Sequence, residues 1–264
     1  MYSLDYHGDS ISIQIQLSST PAPKIRSCHH VKMQPLLRYW AAGSIRYDKA
    51  YKIQKVLAAR HQTQKAQNVI LLVQHPPVYT IGIRTNPYPF DEEERLRRLG
   101  ADFHRTNRGG LITFHGPGQL VAYPIVNLKE LNLGVRSYVC LIEKAVMRTC
   151  RHFGVDSVRT SMEPNETGVW VNNAKICAIG VHASRFITSH GLALNCNTEL
   201  SWYRHIVPCG LVGKEVTSLT KLLGQNVTVQ QVAPVLVRAF CDELNCTASN
   251  FTHEEQQEIL KEIL

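Results

Sequence analysis

The chain has 264 residues, 44% of them hydrophobic and 19% charged, a composition that fits a globular protein and excludes a disordered one. Its 29 basic and 21 acidic residues leave a net charge of +8, which suits acidic partners; no basic run with interleaved aromatics and no RNA-binding motif accompanies it, so nucleic acid is not expected as a partner. No run of ~18 apolar residues occurs, so no membrane-spanning helix is expected, and the length suits one well-buried core.

Residues 1–32 hold Asp5 and Asp9 and an alternating Ile11, Ile13, Ile15, Leu17 stretch, unlike an Arg-rich, acid-free presequence. They read either as an N-terminal extension of poor order or as an upstream start, since the stretch from Met33 to Tyr47, with Arg38 and Arg46, is closer to a presequence; the main domain is expected over 33–264. Leu36 to Arg46 reads as a first strand, and Asp48 as the cap of a helix reaching about His61. The apolar run Asn68 to Val73 reads as a buried strand; Pro76 and Pro77 then force a loop before a second strand. Asp91, with Glu94 three residues on, reads as the capping box of an arginine-rich surface helix. Leu111 to Phe114 and Leu120 to Val126 read as strands, and Val135 to Phe153 carries a helical rhythm.

Gly168 to Val171 and Ile176 to Val181 read as a hairpin around the polar turn Asn172-Asn-Ala-Lys175, and Gly191 to Asn195 as a further strand. Three helices follow, over about Val216–Leu223, Val229–Leu244 and His253–Leu264. The last two open on Thr228-x-x-Gln231 and Thr252-x-x-Glu255 capping boxes. The expected fold is α+β: a single domain with a mixed, largely antiparallel sheet and flanking helices.

Of the eight cysteines, none forms a C-x-x-C pair, which argues against a zinc or thioredoxin-like site and for a reducing compartment. Cys140, Cys150 and Cys241 lie in helical patterns as small core residues. Cys209 differs, because Pro208 fixes the backbone before it and Gly210 leaves room after it. A thiol attacks as its thiolate, and a nearby ammonium favours that form. Lys175, at the edge of the hairpin, supplies such a cation, and partial desolvation would lower its pKa. On residues alone, a buried structural Cys209 and a solvated turn Lys175 remain competing readings. Cys177 and Cys196 are rival thiols. Arg108-Gly109-Gly110 offers flexible backbone amides for a carbonyl or a pantetheine amide. Gly116-x-Gly118 is no dinucleotide loop, since a strand follows it. His115 is an isolated histidine, and no His/Asp/Glu set has metal-ligand spacing.

These blocks resemble the lipoyl(octanoyl) transferase family over about Leu36 to Leu223. The matching segments are His75-Pro-Pro-Val-Tyr-Thr-Ile-Gly82, Arg108 to Gln119, Gly168-Val-Trp-Val171, Lys175-Ile-Cys-Ala-Ile-Gly180, His190-Gly-Leu-Ala-Leu-Asn195 and Pro208-Cys-Gly210. The resemblance implies the biotin protein ligase/lipoate ligase-like fold. It implies that Cys209 accepts the acyl group and that Lys175 lowers its pKa and serves as acid/base. It further implies substrate-binding roles for Arg108, Gly109, Gly110, Leu111, Ile112, Thr113, Phe114 and His115, for Ala178, Ile179 and Gly180, and for Gly191, Leu192 and Ala193. Gln74, where an acidic residue is expected, and Cys177, where alanine is usual, depart from the pattern.

The implied reaction moves an octanoyl group from octanoyl-acyl carrier protein to the lysine of lipoyl domains, those of 2-oxoacid dehydrogenase complexes and the glycine cleavage H protein, through a Cys209 thioester. No cofactor and no metal are expected, and the similar eukaryotic enzymes act in the mitochondrial matrix. A monomer is expected, since the substrates are themselves proteins. Burial of the acyl chain would contribute up to ~5 kcal/mol at ~0.8 kcal/mol per methylene. The alternatives are an ATP-dependent lipoate ligase of the same fold, which needs no nucleophilic cysteine, and a non-catalytic carrier-protein scaffold or binder of nucleic acid through the positive charge.

Overall fold

The computed structural model describes residues 35–63, 66–84, 90–163, 166–207, 210 and 213–264. The expected 1–32 extension lies outside the described residues. In chain order the elements are β1 (Leu36–Ser44), α1 (Tyr47–Thr63), β2 (Asn68–Gln74), β3 (Val78–Ile81), α2 (Phe90–Arg98), β4 (Asp102–Arg105), β5 (Thr113–His115), β6 (Gln119–Ile125), α3 (Val135–His152), β7 (Val158–Arg159), β8 (Gly168–Val171), β9 (Ala174–Ser184), β10 (Ile187–Asn195), a 3-10 turn (Leu200–His205), β11 (Glu215–Val216), α4 (Leu219–Leu223), α5 (Val229–Leu244), β12 (Thr247–Asn250) and α6 (His253–Glu262). Among the described residues, none of these helices is long and apolar enough to cross a membrane.

A large mixed sheet runs β12-β1-β2-β6-β10-β9-β8-β7, with β11 added alongside β9; a small one runs β4-β3-β5. The central β2-β6-β10-β9-β8 run is antiparallel, whereas β1 lies parallel to both β2 and β12. The apolar run of β2 has no polar alternation because both sheet faces are covered. Ile70 and Leu72 join a core with α3 and α5, while Val69, Leu71 and Val73 join a second core with α1 and α6. A third core, built on Tyr79, Ile112 and Phe114, fills the small sheet beneath Leu96 of α2.

Both expected capping boxes are present: Thr228 with Gln231 starts α5, and Thr252 with Glu255 starts α6. Asp48 and Asp91 are not caps but sit inside the first turns of α1 and α2, where their charge faces the positive end of the helix dipole. The helix expected from Val216 begins only at Leu219, because Ser218 caps it and Glu215–Val216 pairs with β9 instead. Cys150 is buried as expected, but Cys140 is exposed on α3 and Cys241 half-buried.

Candidate active site

A hollow opens on the α1 side of the large sheet, and its cause lies in β9 and β10. Ala178 pairs with Ala193 and Gly180 with Gly191, so two neighbouring cross-strand pairs present almost no side chain. Val121 and Tyr123 of β6 continue the floor, Tyr47 of α1 closes one side, and Gly110, Leu111, Thr113 and His115 form the opposite wall. The space amounts to about 460 Å³ with its mouth included.

The wall is held on by backbone contacts. The Gly109 amide donates to the Val181 carbonyl (3.0 Å). A Cβ at Gly180 would come within 2.8 Å of the Gly109 carbonyl oxygen, so only glycine lets the segment approach β9 this closely. The buried Arg108 guanidinium donates to the Thr80 carbonyl (2.7 Å) and hydroxyl (2.9 Å) and to the Gly109 carbonyl (3.0 Å), tying the same segment to β3. The Gly109 amide is thus engaged in the fold, contrary to its expected role as a substrate donor. Ile112 and Phe114 turn away from the hollow into the third core. The remaining expected binding residues, from all three segments, line it.

Three buried histidines surround the base of the hollow. His115 contacts Gln119 Oε1 through Nδ1 (2.8 Å) and the Thr80 hydroxyl through Nε2 (3.2 Å). His75 donates from Nδ1 to the Ile45 carbonyl (2.7 Å), and its Nε2 meets the Tyr123 hydroxyl (2.8 Å). His190 meets Asn107 Oδ1 (2.8 Å) and stacks on Tyr51. Burial disfavours their charged forms, pushing His75 down to about 4 and both His115 and His190 to about 3. The hollow is therefore lined by neutral imidazoles at physiological pH. Gln119 extends this network to Asn195 (2.9 Å), whose amide donates to the Thr217 carbonyl (2.9 Å); the Thr217 amide donates to the Lys175 carbonyl (3.0 Å).

Lys175 does not line the hollow, but a β-bulge turns it to that face. In the β8–β9 ladder Val169 pairs with Cys177 and Trp170 with Lys175, so Ile176 is an extra residue. Ile176 and Cys177 both enter the α3/α5 core, and Lys175 emerges on the side of Ala178 and Gly180. Without the bulge, strict alternation would point Lys175 into that core. The ammonium lies 4.8 Å from the centre of the Trp170 ring and donates to the Thr167 carbonyl (3.2 Å).

Cys209 lies outside the described residues. Its neighbour Gly210 packs against Leu111 of the hollow: a Cβ there would meet Leu111 Cδ1 at 2.6 Å. The rival thiols are poor nucleophiles. Cys177 and Cys196 are buried in the α3/α5 core, and burial pushes both thiols well above their ordinary value. Tyr47, Val121, Tyr123 and His190 were not foreseen as lining; only His190, beside Gly191 in a resembling block, carried a sequence signal. Among the described residues no group of three His, Cys, Asp or Glu side chains could hold a metal ion.

The architecture is that of the lipoate-protein ligases. A solved lipoate-protein ligase A bound with ATP superposes with a TM-score of 0.67 over 88% of this chain and 94% of its own, at 15% identity, which speaks to fold alone. The chain belongs to the family described as the lipoyl protein ligase A/B catalytic domain, which matches residues 46–241. It is 55% identical over 207 residues (78% of this chain, 91% of the relative) to the mitochondrial octanoyl-[acyl-carrier-protein]:protein N-octanoyltransferase LIPT2 of Danio rerio. It is 44% identical over 223 residues (81% and 96%) to the Homo sapiens protein of the same name. The mitochondrial octanoyltransferase LIP2 of Arabidopsis thaliana is 41% identical over 210 residues (77% and 88%).

Proposed function

We propose that this chain, an octanoyltransferase of protein lipoylation, works in mitochondria by a two-step transfer through Cys209. The Cys209 thiolate attacks the thioester of octanoyl-acyl carrier protein and expels the carrier's thiolate, which takes a proton from the Lys175 ammonium. The lysine amine of a lipoyl domain then attacks the octanoyl-Cys209 thioester. Lys175 takes the amine's proton, and the Cys209 thiolate departs. Thiolate and ammonium are both restored, and an amide replaces a thioester. The matrix is the compartment of this reaction, and the acting unit is a monomer.

The observation that carries the reading is the hollow itself. Its floor is stripped of side chains by Ala178, Gly180, Gly191 and Ala193, and Gly210 rests against its Leu111 wall. Gly210 directly follows Cys209 in the chain. The limb after Cys209 returns to pair with Lys175 through Val216 and Thr217. An adenylate-forming ligase would have no use for a cysteine there.

Intact mass measurement after incubation with octanoyl-acyl carrier protein tests this. An added octanoyl group that is absent in Cys209→Ser is the expected result, with slow formation in Lys175→Ala. Full activity of Cys209→Ser with ATP and free octanoate would support the ligase alternative, and an unmodified wild-type chain would support a scaffold.

A further inference from the structure

Trp170 is wholly buried, yet it belongs to none of the three apolar cores. Its neighbours Val169 and Val171 face α3, so alternation sends the indole to the opposite side of the sheet. There its ring meets two ammonium groups, Lys175 at 4.8 Å and Lys214 at 5.6 Å from the ring centre. The indole Nε1 donates to the Glu166 carbonyl (2.8 Å), which fixes the ring plane. The Glu166 side chain in turn pairs with Lys214 (2.8 Å) and accepts from the Ser161 hydroxyl (2.6 Å). Lys214 stands five positions after Cys209 in the chain, and the segment beyond it pairs with Lys175. One indole therefore touches the acid/base lysine and the limb that returns from the nucleophile.

We propose that Trp170 is the positioning residue of the acyl-transfer site. Its ring holds the Lys175 ammonium and, through Lys214, registers the limb beyond Cys209 against it. This rests on the two-step reading above. The attraction is that of a cation for the negative face of an aromatic ring, and burial keeps water from competing for the ammonium. An aliphatic residue of similar bulk would fill the space but leave the long lysine stem free to leave it. Phenylalanine would keep a ring face and most of the effect.

The test replaces the Trp170 indole in the full chain with mono-, di- and tetrafluorotryptophan, introduced at that position alone. Fluorination drains the ring face of negative potential while nearly preserving its shape. The octanoylation rate of Cys209 is then read by intact mass alongside the unfolding temperature. The logarithm of the rate is expected to fall stepwise with fluorine count, to about tenfold in total, the scale of a desolvated cation–ring contact, with little change in unfolding temperature. Trp170→Phe should stay within about threefold of wild type and Trp170→Leu should lose about tenfold. A rate indifferent to fluorination, in a chain that still octanoylates Cys209, overturns the role of Trp170 and leaves the two-step reading standing. Failure of the unsubstituted chain to acquire an octanoyl group overturns that reading instead.

Discussion

On the side of the large sheet that faces α3 and α5, strands β9 and β10 present Ile176, Cys177 and Leu194, all buried and tightly covered. On the side that faces α1, the same strands present Lys175, Ala178, Gly180, Gly191 and Ala193, and the hollow opens. Alternate residues of one hairpin thus build a core on one face and a binding site on the other. Bulk on the first face should govern stability, and bulk on the second should govern what is bound.

Leu194→Ala should produce the largest effect. The side chain is fully buried, and removing it should cost about 3 kcal/mol in urea unfolding while acyl-chain preference stays unchanged. A shifted preference in this variant would show that the two faces are not independent. The converse change is Ala178→Leu, which adds bulk to the hollow. It should lower octanoyl transfer about 50-fold, spare shorter acyl groups, and leave the unfolding temperature within about 2 °C. Equal loss for all chain lengths would place the octanoyl group elsewhere.

The hollow's histidines separate the faces by pH. Their folded pKa values, about 4 for His75 and about 3 for His115 and His190, lie below the ordinary ~6.5. The unfolded chain therefore takes up protons first as pH falls. Stability is intact above ~6.5 and declines below it, by up to ~1.4 kcal/mol per pH unit for each histidine, until the folded values are reached. His115→Gln should flatten the slope between pH 6 and 4.5 by about that amount, read from urea midpoints. An unchanged slope would mean that His115 takes up protons in the folded chain as readily as in the unfolded one.

The sequence disclosed the long elements and the binding segments for different reasons. β2, α3 and α5 carry periodic apolar patterns, and capping boxes mark where α5 and α6 begin. β4, β7, β11 and β12 are two to four residues long, too short to show a period. The site segments were legible because Arg108–His115, Ala178–Gly180 and Gly191–Ala193 each lie in a resembling block. Tyr47, Val121 and Tyr123 join them only through the register of α1 and β6, which no local pattern specifies. The direction of Lys175 depends on one extra residue in β9, and no residue type there announces a bulge.

The turn between β9 and β10 was hidden for a related reason, and it yields the smallest expected effect. Asn-Gly is the usual marker of such a tight hairpin, because both central residues adopt positive φ. Here those residues are Arg185 (φ 49°) and Phe186 (φ 67°), types that rarely occupy that region, and both are exposed. The local support is thin: a 3.4 Å contact from Arg185 to Gln62, and a Phe186 carbonyl that accepts from the Leu128 amide and would survive substitution. Arg185→Asn with Phe186→Gly should therefore relieve the strain and stabilise the chain by about 1 kcal/mol. The unfolding temperature should rise by about 2–4 °C. Gly180 and Gly191 lie well down the ladder from this turn, so octanoyl transfer should be unchanged. A fall in transfer despite the added stability would show that the tip, and not only the glycine-lined floor, takes part in handling the protein substrates.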